Sequence, residues 1–402
     1  MKILQLCTKV PYPPMDGGAA GIYNFTKAFA NSGHQVVVLA VNPPKHFINE
    51  SVFKNLHEAI EIHAVKINTS PHWYGALWNI FFTSVPYFVE RFINESYKKE
   101  LIRQIRVSKP DIIQIEGIYL CPYITTIRKY STAKIVLRSH NVEYLLWQNI
   151  AHNEHNLFKK VYLNLQASRL KKFEIKQLDQ VDGVTTVTEH DLLVLRKHVP
   201  SMKAMVIPYA IEISTSPSQH NLNLKDLFFF GALDWIPNQE AITWFVKIVW
   251  PKIHKELPDM QLHIAGRNAP LQLINCLKTQ PGIFFHGEIS DAKLFTKQFT
   301  FAVVPLFSGS GIRVKIIEGM EQGKVVIASA KAISGIPAVD GEHLLLAESA
   351  DEYLNHVKNL ISNPNLVRKI SGNAMQLVQE RFNILAITTQ LMNFYQDISE
   401  NA

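Results

Sequence analysis

Short apolar segments alternate with longer amphipathic segments along the whole chain. The apolar segments are β-branched or aromatic and nearly continuous, which is typical of strands buried on both faces of a parallel sheet. Segments between them, such as 19–31, 238–256 and 352–361, carry apolar residues at spacings of three and four, as helices on a sheet do. The pattern predicts strands at 3–7, 35–41, 111–117, 133–139, 183–188, 204–209, 227–233, 261–266, 283–287, 301–307, 325–329 and 343–347.

This alternation of strands and helices predicts an α/β protein with two doubly wound, Rossmann-like domains that face each other across a cleft. The length of 402 residues suits two domains. Segment 210–226 is polar and lacks a sustained periodicity, so we interpret it as the linker. We therefore expect one domain over residues 1–208 and a second over 209–384. In doubly wound sheets, ligands bind beyond the carboxyl ends of the strands.

Composition and charge narrow the functional classes. The first 208 residues carry 25 basic and 16 acidic side chains, against 16 and 18 in the remainder. A basic half suits an anionic ligand or membrane surface, and the sequence contains none of the usual nucleic-acid-binding modules. Three cysteines without a CxxC pair indicate a reducing compartment, so we expect a cytoplasmic protein. The first residues are interpreted as a strand, not as a secretory signal.

Two segments leave alternatives open. Residues 67–89 carry no charged side chain, yet they are too broken by proline and polar residues for a spanning helix, which needs roughly 20 apolar residues. They form either a core helix with a loop or a surface that binds the acceptor or dips into a membrane. The basic helix predicted at 157–180 is either a solvated face or a face that rests on anionic lipid.

The strongest local signal for chemistry lies in residues 301–329. A strand is followed by the small loop Ser308, Gly309, Ser310 and Gly311 and then by a helix from about residue 312. Glycine amides and a helix N-terminus are a common phosphate site. Arg313 and Lys315 add positive charge there, and Glu318 can accept hydrogen bonds from a ribose diol. A plain structural loop is the alternative. The sequence has no HExxH or DxD motif, so we expect no metal.

Several segments, in this order and spacing, together resemble a known family. They are PYPPMDGGAAGIYNF at 11–25, RSHNVEY at 138–144, FFFGALDWIPNQEAITWF at 228–245, LHIAGRNAP at 262–270, FFHGEISD at 284–291 and the loop and helix after residue 307. The chain resembles the retaining glycosyltransferases of the GT-B fold, glycosyltransferase family 4, over nearly its whole length.

The resemblance implies roles for single residues. Gly17 and Gly18 correspond to the family's glycine pair, which lines the cleft near the donor phosphates and the acceptor, and His140 to the histidine that contacts the transferred sugar. A tight turn and a core histidine are the respective alternatives. Glu318 corresponds to the glutamate that binds the ribose. The implied donor site also includes Gly309, Ser310, Gly311, Gly231, Arg267, Gly287 and Glu288. Of these, Gly287 and Glu288 match a family position near the base.

The sequence departs from the common family pattern at two points. Ser310 replaces a glutamate that orients the sugar, and the Arg and Lys that often follow the first strand of the second domain are missing. Gly231, Asp234 and Asn238 stand there instead. We therefore expect Arg313 and Lys315 to be the diphosphate clamp and the catalytic cations, together with Arg267 in neutralising the donor.

The resemblance implies a hexosyltransferase-type enzyme that moves a sugar from a UDP or GDP donor to a hydroxyl acceptor with retention. It uses no cofactor or metal and acts in cell-surface polysaccharide, lipid-linked glycan or glycoprotein synthesis. The partners expected are the nucleotide sugar, the acceptor and the inner face of an anionic membrane. A sugar-nucleotide epimerase and a non-catalytic nucleotide-sugar-binding protein are the alternatives. The C-terminal helix, residues 385–402, either returns to the first domain, as in the family, or stays on the second.

Overall fold

A computed structural model describes residues 1–44, 47–213, 222–309 and 311–400. The chain divides into two compact units. One consists of Met1–Ala210 together with Ile384–Ala402, and the other of Ile211–Asn383. Each unit is built on its own parallel sheet with helices on both sides, because the strands are apolar on both faces and need cover on both. Most of the linker predicted at 210–226 lies outside the described residues.

The first unit contains a seven-stranded parallel sheet in the order β3-β2-β1-β4-β5-β6-β7. Its strands are β1 (Lys2–Cys7), β2 (Gln35–Asn42), β3 (Ile60–Lys66), β4 (Ile112–Glu116), β5 (Lys134–Ser139), β6 (Gly183–Thr186) and β7 (Ala204–Val206). Its helices are α1 (Gly17–Asn31), α2 (Trp73–Phe82), α3 (Tyr87–Glu90), α4 (Glu95–Ser108), α5 (Ile124–Tyr130), α6 (Glu143–His152), α7 (Leu157–Leu178) and α8 (Glu189–Arg196), with 3-10 turns at Glu50–Asn55 and Ile118–Tyr123.

The second unit contains a six-stranded parallel sheet in the order β10-β9-β8-β11-β12-β13. Its strands are β8 (Asp226–Phe230), β9 (Gln261–Ala265), β10 (Ile283–Gly287), β11 (Phe301–Val304), β12 (Val325–Ala328) and β13 (Leu345–Leu346). Its helices are α9 (Ile236–Trp244), α10 (Trp250–Glu256), α11 (Leu271–Lys278), α12 (Ala292–Lys297), α13 (Val314–Glu321), α14 (Ala350–Ser362) and α15 (Pro364–Arg381); the last helix of the chain, α16 (Ile384–Glu400), belongs to the first unit.

Both sheets have the doubly wound arrangement, which confirms the predicted fold class. In each sheet the chain starts at a central strand, moves outward, and then crosses back to continue on the other side. The crossing leaves a switch point between β1 and β4 and another between β8 and β11. Loops on the two sides of a switch point run in opposite directions, and this opens a crevice at the carboxyl ends of the strands.

The strand predictions were mostly right in position and partly wrong in extent. β3 was missed because it is an edge strand, in which Glu61 and His63 interrupt the apolar pattern. The strands predicted to reach residues 188, 209 and 307 end earlier, at Thr186, Val206 and Val304. Apolar residues beyond these ends, such as Ile207 and Leu306, are buried but lie outside the strands.

The helix predicted at 238–256 runs from Ile236 to Glu256, but it contains a π turn at Phe245–Val249 between α9 and α10. Pro251 lies two residues after the end of this turn, in the first turn of α10. Proline has no amide hydrogen, so it cannot donate to the preceding turn of a regular helix. The wider turn accommodates it, and the helix continues on the same side of the sheet.

Residues 67–89 fold as α2 and α3, and the predicted basic helix is α7. Only Asn79 is buried in α2, whereas most of its aromatic side chains are exposed. The segment therefore contributes a surface and not a core helix. Across the described ranges of the chain, we find no helix with the length and apolar character needed to cross a membrane.

The C-terminal helix α16 lies in the first unit and packs on α1. Its apolar stripe, which includes Leu391 and Tyr395, is buried in the core beside β1 and β2. The hydroxyl of Tyr395 donates a hydrogen bond to the side-chain carbonyl of Gln114 on β4. The end of the chain therefore completes the core of the unit in which the chain begins.

We expect Leu391→Ala to destabilise the first unit by about 3 kcal/mol, because it leaves a cavity among buried side chains. The control is Leu385→Ala on the same helix, where the side chain is 64% exposed, and it should cost less than about 0.5 kcal/mol. Urea titration followed by hydrogen exchange of the β1 and β4 peptides measures both. Equal effects of the two substitutions would show that α16 does not hold the first unit together.

Candidate active site

The loop between β11 and α13 carries the strongest predicted site. Gly309 and Gly311 have φ values of 96° and 79°, a region that side chains disfavour. A Cβ atom at Gly309 would also lie 2.9 Å from the ring of Trp235. The loop therefore requires glycine for both its conformation and its close packing. The predicted site residue Ser310 lies outside the described residues.

Arg313 ends this loop and is the N-cap residue of α13. The helix begins at Val314, two residues later than predicted. Its side chain is buried, and Nη1 donates to the carbonyl of Gly311 at 2.6 Å. The guanidinium carbon lies 5.5 Å from the centroid of the Trp235 ring. Burial lowers the pKa of Arg313. Arg313 thus shapes the glycine loop as well as adding positive charge to it.

Lys315 lies in the first turn of α13 and points toward the end of β8. Its Nζ donates to Asn238 Oδ1 at 3.0 Å and lies 4.5 Å from the centroid of the Phe229 ring. A Cβ atom at Gly231 would be only 2.6 Å from this Nζ, so glycine makes room for the ammonium. Burial, and then the charge of Arg313, lower the pKa of Lys315 to about 7 from its ordinary 10.5.

This geometry brings together three positions that are far apart in sequence: Lys315, Gly231 and Asn238. The sequence identified Asn238 only as a departure from the family pattern and gave it no role. In the structure it is buried, and its amide donates to the carbonyl of Ala232 while its oxygen accepts from Lys315. The sequence feature that could have identified Asn238 is its position in the first turn of the helix that follows β8.

Glu318 lies one turn further along α13. Burial raises the pKa of its carboxyl to about 7, an effect that Lys293 opposes and Glu321 reinforces. Within the described ranges, no side chain donates a hydrogen bond to this carboxylate. Its oxygens can therefore accept hydrogen bonds from hydroxyl groups of a ligand, as the sequence predicts for a ribose.

The remaining predicted donor residues share the same edge of the second sheet. Arg267 follows β9, Gly287 is the last residue of β10, and Glu288 follows it. The φ of Gly287 is 69°, and its carbonyl accepts from the amide of Gly266 at 2.8 Å. Arg267 is half-buried and Glu288 is exposed. Arg267 therefore lies beyond β9, which pairs with β8, and Gly287 and Glu288 lie at the end of β10, the edge strand on the far side of β9.

In the first unit, Gly17 and Gly18 were predicted to lie in a phosphate or acceptor loop, and in the structure they form the first turn of α1. Their predicted role near the donor phosphates and the acceptor stays a prediction. Asp16 caps this helix by accepting from the amide of Ala19 at 2.9 Å, and Lys9 Nζ lies 2.6 Å from the Asp16 carboxylate. The cap extends the helix by two residues, since Asp16 satisfies the amide that a loop would otherwise expose.

His140 follows the end of β5 and lies at the carboxyl edge of the first sheet. Its side chain is 29% exposed, and Glu116 Oε2 accepts a hydrogen bond from Nε2 at 2.8 Å. Glu116 is the last residue of the neighbouring strand β4. The imidazole is thus held on one side by a buried carboxylate and open to ligand on the other, which differs from a fully buried core histidine.

A buried polar network supports His140, and sequence reasoning missed it. Arg138 Nη1 lies 3.6 Å from Glu116 Oε2, and Gln114 donates to the other carboxylate oxygen. Burial raises the pKa of Glu116, but the charge of Arg138 and the hydrogen bond from His140 outweigh it and hold the pKa below its ordinary value. The available signal was the pair Gln114 and Glu116 inside an otherwise apolar strand.

Comparison with known proteins agrees with this architecture. The family model described as "Glycosyltransferase Family 4" matches residues 15–215, and the model described as "Glycosyl transferases group 1" matches residues 225–363. An uncharacterised 44.6 kDa protein in the cps region of Klebsiella pneumoniae is 24% identical, over 95% of this chain and 96% of that protein.

Two solved structures show the same fold. Anabaena HepE in complex with UDP and glucose has a TM-score of 0.67 at 14% identity, covering 99% of this chain and 100% of HepE. The sucrose-phosphate synthase of Thermosynechococcus elongatus has a TM-score of 0.69 at 16% identity, covering 100% of both chains.

Two doubly wound α/β domains, matched by two glycosyltransferase family models and by solved structures of the same fold, identify a glycosyltransferase of the GT-B fold. The family matches cover both units. The chain belongs to glycosyltransferase family 4, as its motifs predicted.

We expect Arg138→Met to destabilise the first unit by about 3 kcal/mol at pH 7, because it leaves the buried Glu116 carboxylate without its cation. In the wild type the pKa of Glu116 is below 4.5, so the pair stabilises the fold above that pH and is lost as the pH falls. In the variant, burial raises this pKa, and stability should therefore fall as the pH rises above 4.5.

Urea unfolding at pH 4.5 and pH 7, followed by hydrogen exchange of β4 and β5, measures this difference. The control Arg128→Met removes a partly exposed ion pair with Asp182 and should cost less than about 1 kcal/mol at either pH. A loss in Arg138→Met that is the same at both pH values would contradict the charge pairing of Arg138 with Glu116.

Proposed function

We propose that this glycosyltransferase moves a sugar from a nucleoside diphosphate sugar to a hydroxyl acceptor with retention of configuration. The observation that carries the proposal is the ammonium of Lys315, which is held beside a glycine loop and donates to a neutral amide. Its lowered pKa means that the charged form lacks the solvation it has in water. A diphosphate placed next to it supplies the missing counter-charge.

The second support is the position of Glu318 on the same helix as Lys315. The two residues are three positions apart, so their side chains project from one face of α13. A cation and a hydroxyl acceptor on one face match a ligand that carries phosphate and ribose side by side. The N-terminus of α13 adds partial positive charge on the phosphate side.

We propose UDP as the nucleotide of the donor, with GDP as the alternative. Support comes from HepE, which has the same fold and whose structures hold UDP, UDP-glucose, or UDP and glucose. No metal is required in this proposal, because Lys315 and Arg313 supply the positive charge for the leaving diphosphate.

The chemistry that we propose uses one face of the sugar. The bond between the anomeric carbon and the diphosphate oxygen breaks, and a bond from the acceptor oxygen forms on the same face. The acceptor proton passes to an oxygen of the leaving diphosphate, whose growing negative charge is stabilised by Lys315 and Arg313. His140, oriented by Glu116, contacts the transferred sugar.

We further propose a cell-surface polysaccharide, lipid-linked glycan or glycoprotein as the product, made on the cytoplasmic side of a membrane. Support for the first comes from the relative in Klebsiella pneumoniae, which is described by its place in the cps region. The basic character of the first half of the chain supports contact with an anionic membrane.

Calorimetric titration with UDP, GDP, ADP and CMP in buffer containing EDTA tests the donor site. We expect one diphosphate, UDP, to bind and to take up about one proton at pH 8, because contact with phosphate raises the pKa of Lys315 from about 7. Proton uptake appears as a binding enthalpy that differs between Tris and HEPES. Glu318 is ionised in both states at this pH, so it does not contribute.

The variant Lys315→Met should bind UDP at least tenfold more weakly and show no proton uptake, while its melting temperature stays equal or rises. The control Lys331→Met, at an exposed lysine of the same unit, should behave as the wild type. Wild-type binding of UDP without proton uptake would show that the diphosphate does not contact Lys315.

A second prediction concerns the ribose. UDP should bind about tenfold more tightly than 2′-deoxy-UDP, since a hydrogen bond to a charged carboxylate contributes about 1.5 to 3 kcal/mol. Glu318→Gln should bind the two ligands within about twofold of each other, and the neighbouring control Glu321→Gln should keep the wild-type preference. A preference that survives in Glu318→Gln would assign ribose recognition to another residue.

A further inference from the structure

We propose that one face of the first unit, formed by α2 and the exposed side of α7, binds the surface of an anionic lipid bilayer. The proposal deepens the proposed function, on which it rests for the choice of a membrane as the place of the acceptor. Its evidence is independent of the donor site, because it comes from side chains of α2 and α7 only.

The first observation is the aromatic face of α2. Between 50 and 77% of each of six side chains is exposed: Trp73, Tyr74, Leu77, Trp78, Phe81 and Phe82. These rings contact mainly one another; Trp78 stacks on Phe82 with centroids 4.0 Å apart. Contiguous apolar surface of this kind is rare on a monomer and marks a binding surface.

The second observation is that α2 is fixed with its polar side inward. Asn79 is its only buried residue. The Asn79 amide donates to Glu90 Oε2 at 2.6 Å and to the carbonyl of Val85 at 2.9 Å. From α7, the side chains of Gln166 and Arg169 donate to the side-chain oxygen Oδ1 of Asn79 at 3.0 and 2.9 Å. These bonds fix the orientation of the helix, so the aromatic face points to solvent as part of the fold.

The third observation is a second apolar stripe, on α7. Phe158, Val161 and Leu165 are 90, 70 and 42% exposed and follow helical spacing. They lie within three turns of Gln166 and Arg169, the residues that hold Asn79 of α2. The exposed apolar residues of α2 and of α7 are thus carried by two helices that are bonded to each other through Asn79.

Charge identifies the partner. Every exposed or half-buried charged residue of α7 is basic: Lys159, Lys160, Arg169, Lys171, Lys172 and Lys176. The one acid, Glu174, is buried, and burial raises its pKa to about 8. Lys172 lies seven residues after Leu165, on the same helix face and about 10 Å further along. Trp and Tyr prefer the headgroup region of a membrane, and lysines near it favour anionic lipid.

The same charges argue against a second copy of the chain as the occupant. A twofold dimer through this face would place the basic row of one copy near that of the other, and like charges at an interface are unfavourable. A bilayer with anionic headgroups instead offers both an apolar interior for the rings and negative charge for the lysines.

Co-sedimentation of the full-length protein with vesicles tests this proposal. We expect binding to vesicles of phosphatidylcholine with 30% phosphatidylglycerol, and at least tenfold weaker binding to pure phosphatidylcholine. Trp73→Ser with Phe81→Ser should weaken binding to the anionic vesicles at least tenfold, and Lys172→Glu with Lys176→Glu should do the same. None of these changes should alter UDP binding, since these residues lie in the first unit.

Matched controls come from exposed positions of the second unit. Leu271→Ser with Leu294→Ser removes apolar side chains that are 77 and 64% exposed, and Lys255→Glu with Lys278→Glu reverses two exposed charges; both should bind vesicles as the wild type does. Failure of the wild type to bind anionic vesicles, or wild-type binding by the aromatic variant, overturns the proposal. So does a wild-type dimer that the aromatic variant dissociates. Loss of UDP binding with intact vesicle binding would instead reject the donor site alone.

Discussion

The ammonium of Lys315 is the constraint on which the second unit depends. A charged group that leaves water needs compensation, and here the compensation is incomplete: one amide oxygen and the face of Phe229. Its surroundings are shaped to admit it. Gly231 leaves room for Nζ, and Asn238 turns its oxygen toward it because its amide is committed to the carbonyl of Ala232. An incompletely compensated cation at a sheet edge costs stability and favours an anionic ligand.

The first unit buries a charge of the opposite sign. Glu116 is a buried carboxylate whose charge is countered by Arg138 and whose two oxygens accept hydrogen bonds from Gln114 and His140. The network reaches Tyr395 on the C-terminal helix through Gln114. The orientation of His140 therefore depends on β4, β5 and the C-terminal helix. A buried network of this kind favours one arrangement of its side chains.

Sequence patterns within a few residues predicted most of the strands and the glycine loop, because these features depend on neighbouring residues. Continuous apolar runs revealed all strands except β3, whose polar residues face solvent at an edge. Gly309 and Gly311, followed by Arg313 and Lys315, pointed to the loop for which we propose phosphate binding, because conformation and charge there are both encoded within a few residues. Glu318 was named from the same loop and helix, whereas His140 came from the family motifs, because no local pattern distinguishes it from other polar residues.

Contacts between distant residues could not be predicted in the same way. Asn238 meets Lys315 only because β8 and β11 pair in the sheet, and Glu116 meets His140 only because β4 and β5 do. The return of α16 to the first unit was one of two open interpretations, since its apolar stripe would suit either core. Gly17 and Gly18 were misplaced because the cap at Asp16 draws them into a helix. Residues of α2 carried no sign of which side would face solvent until the partners of Asn79 were known.

The most direct test of the central claim is a crystal structure of the protein with UDP bound. We expect a diphosphate oxygen within about 3 Å of Lys315 Nζ, which is hydrogen-bonding distance. We also expect a ribose hydroxyl at the same distance from the carboxylate of Glu318. Asn238 should keep its place beside the lysine. A UDP molecule bound elsewhere, or bound with its diphosphate away from Lys315, would contradict the account.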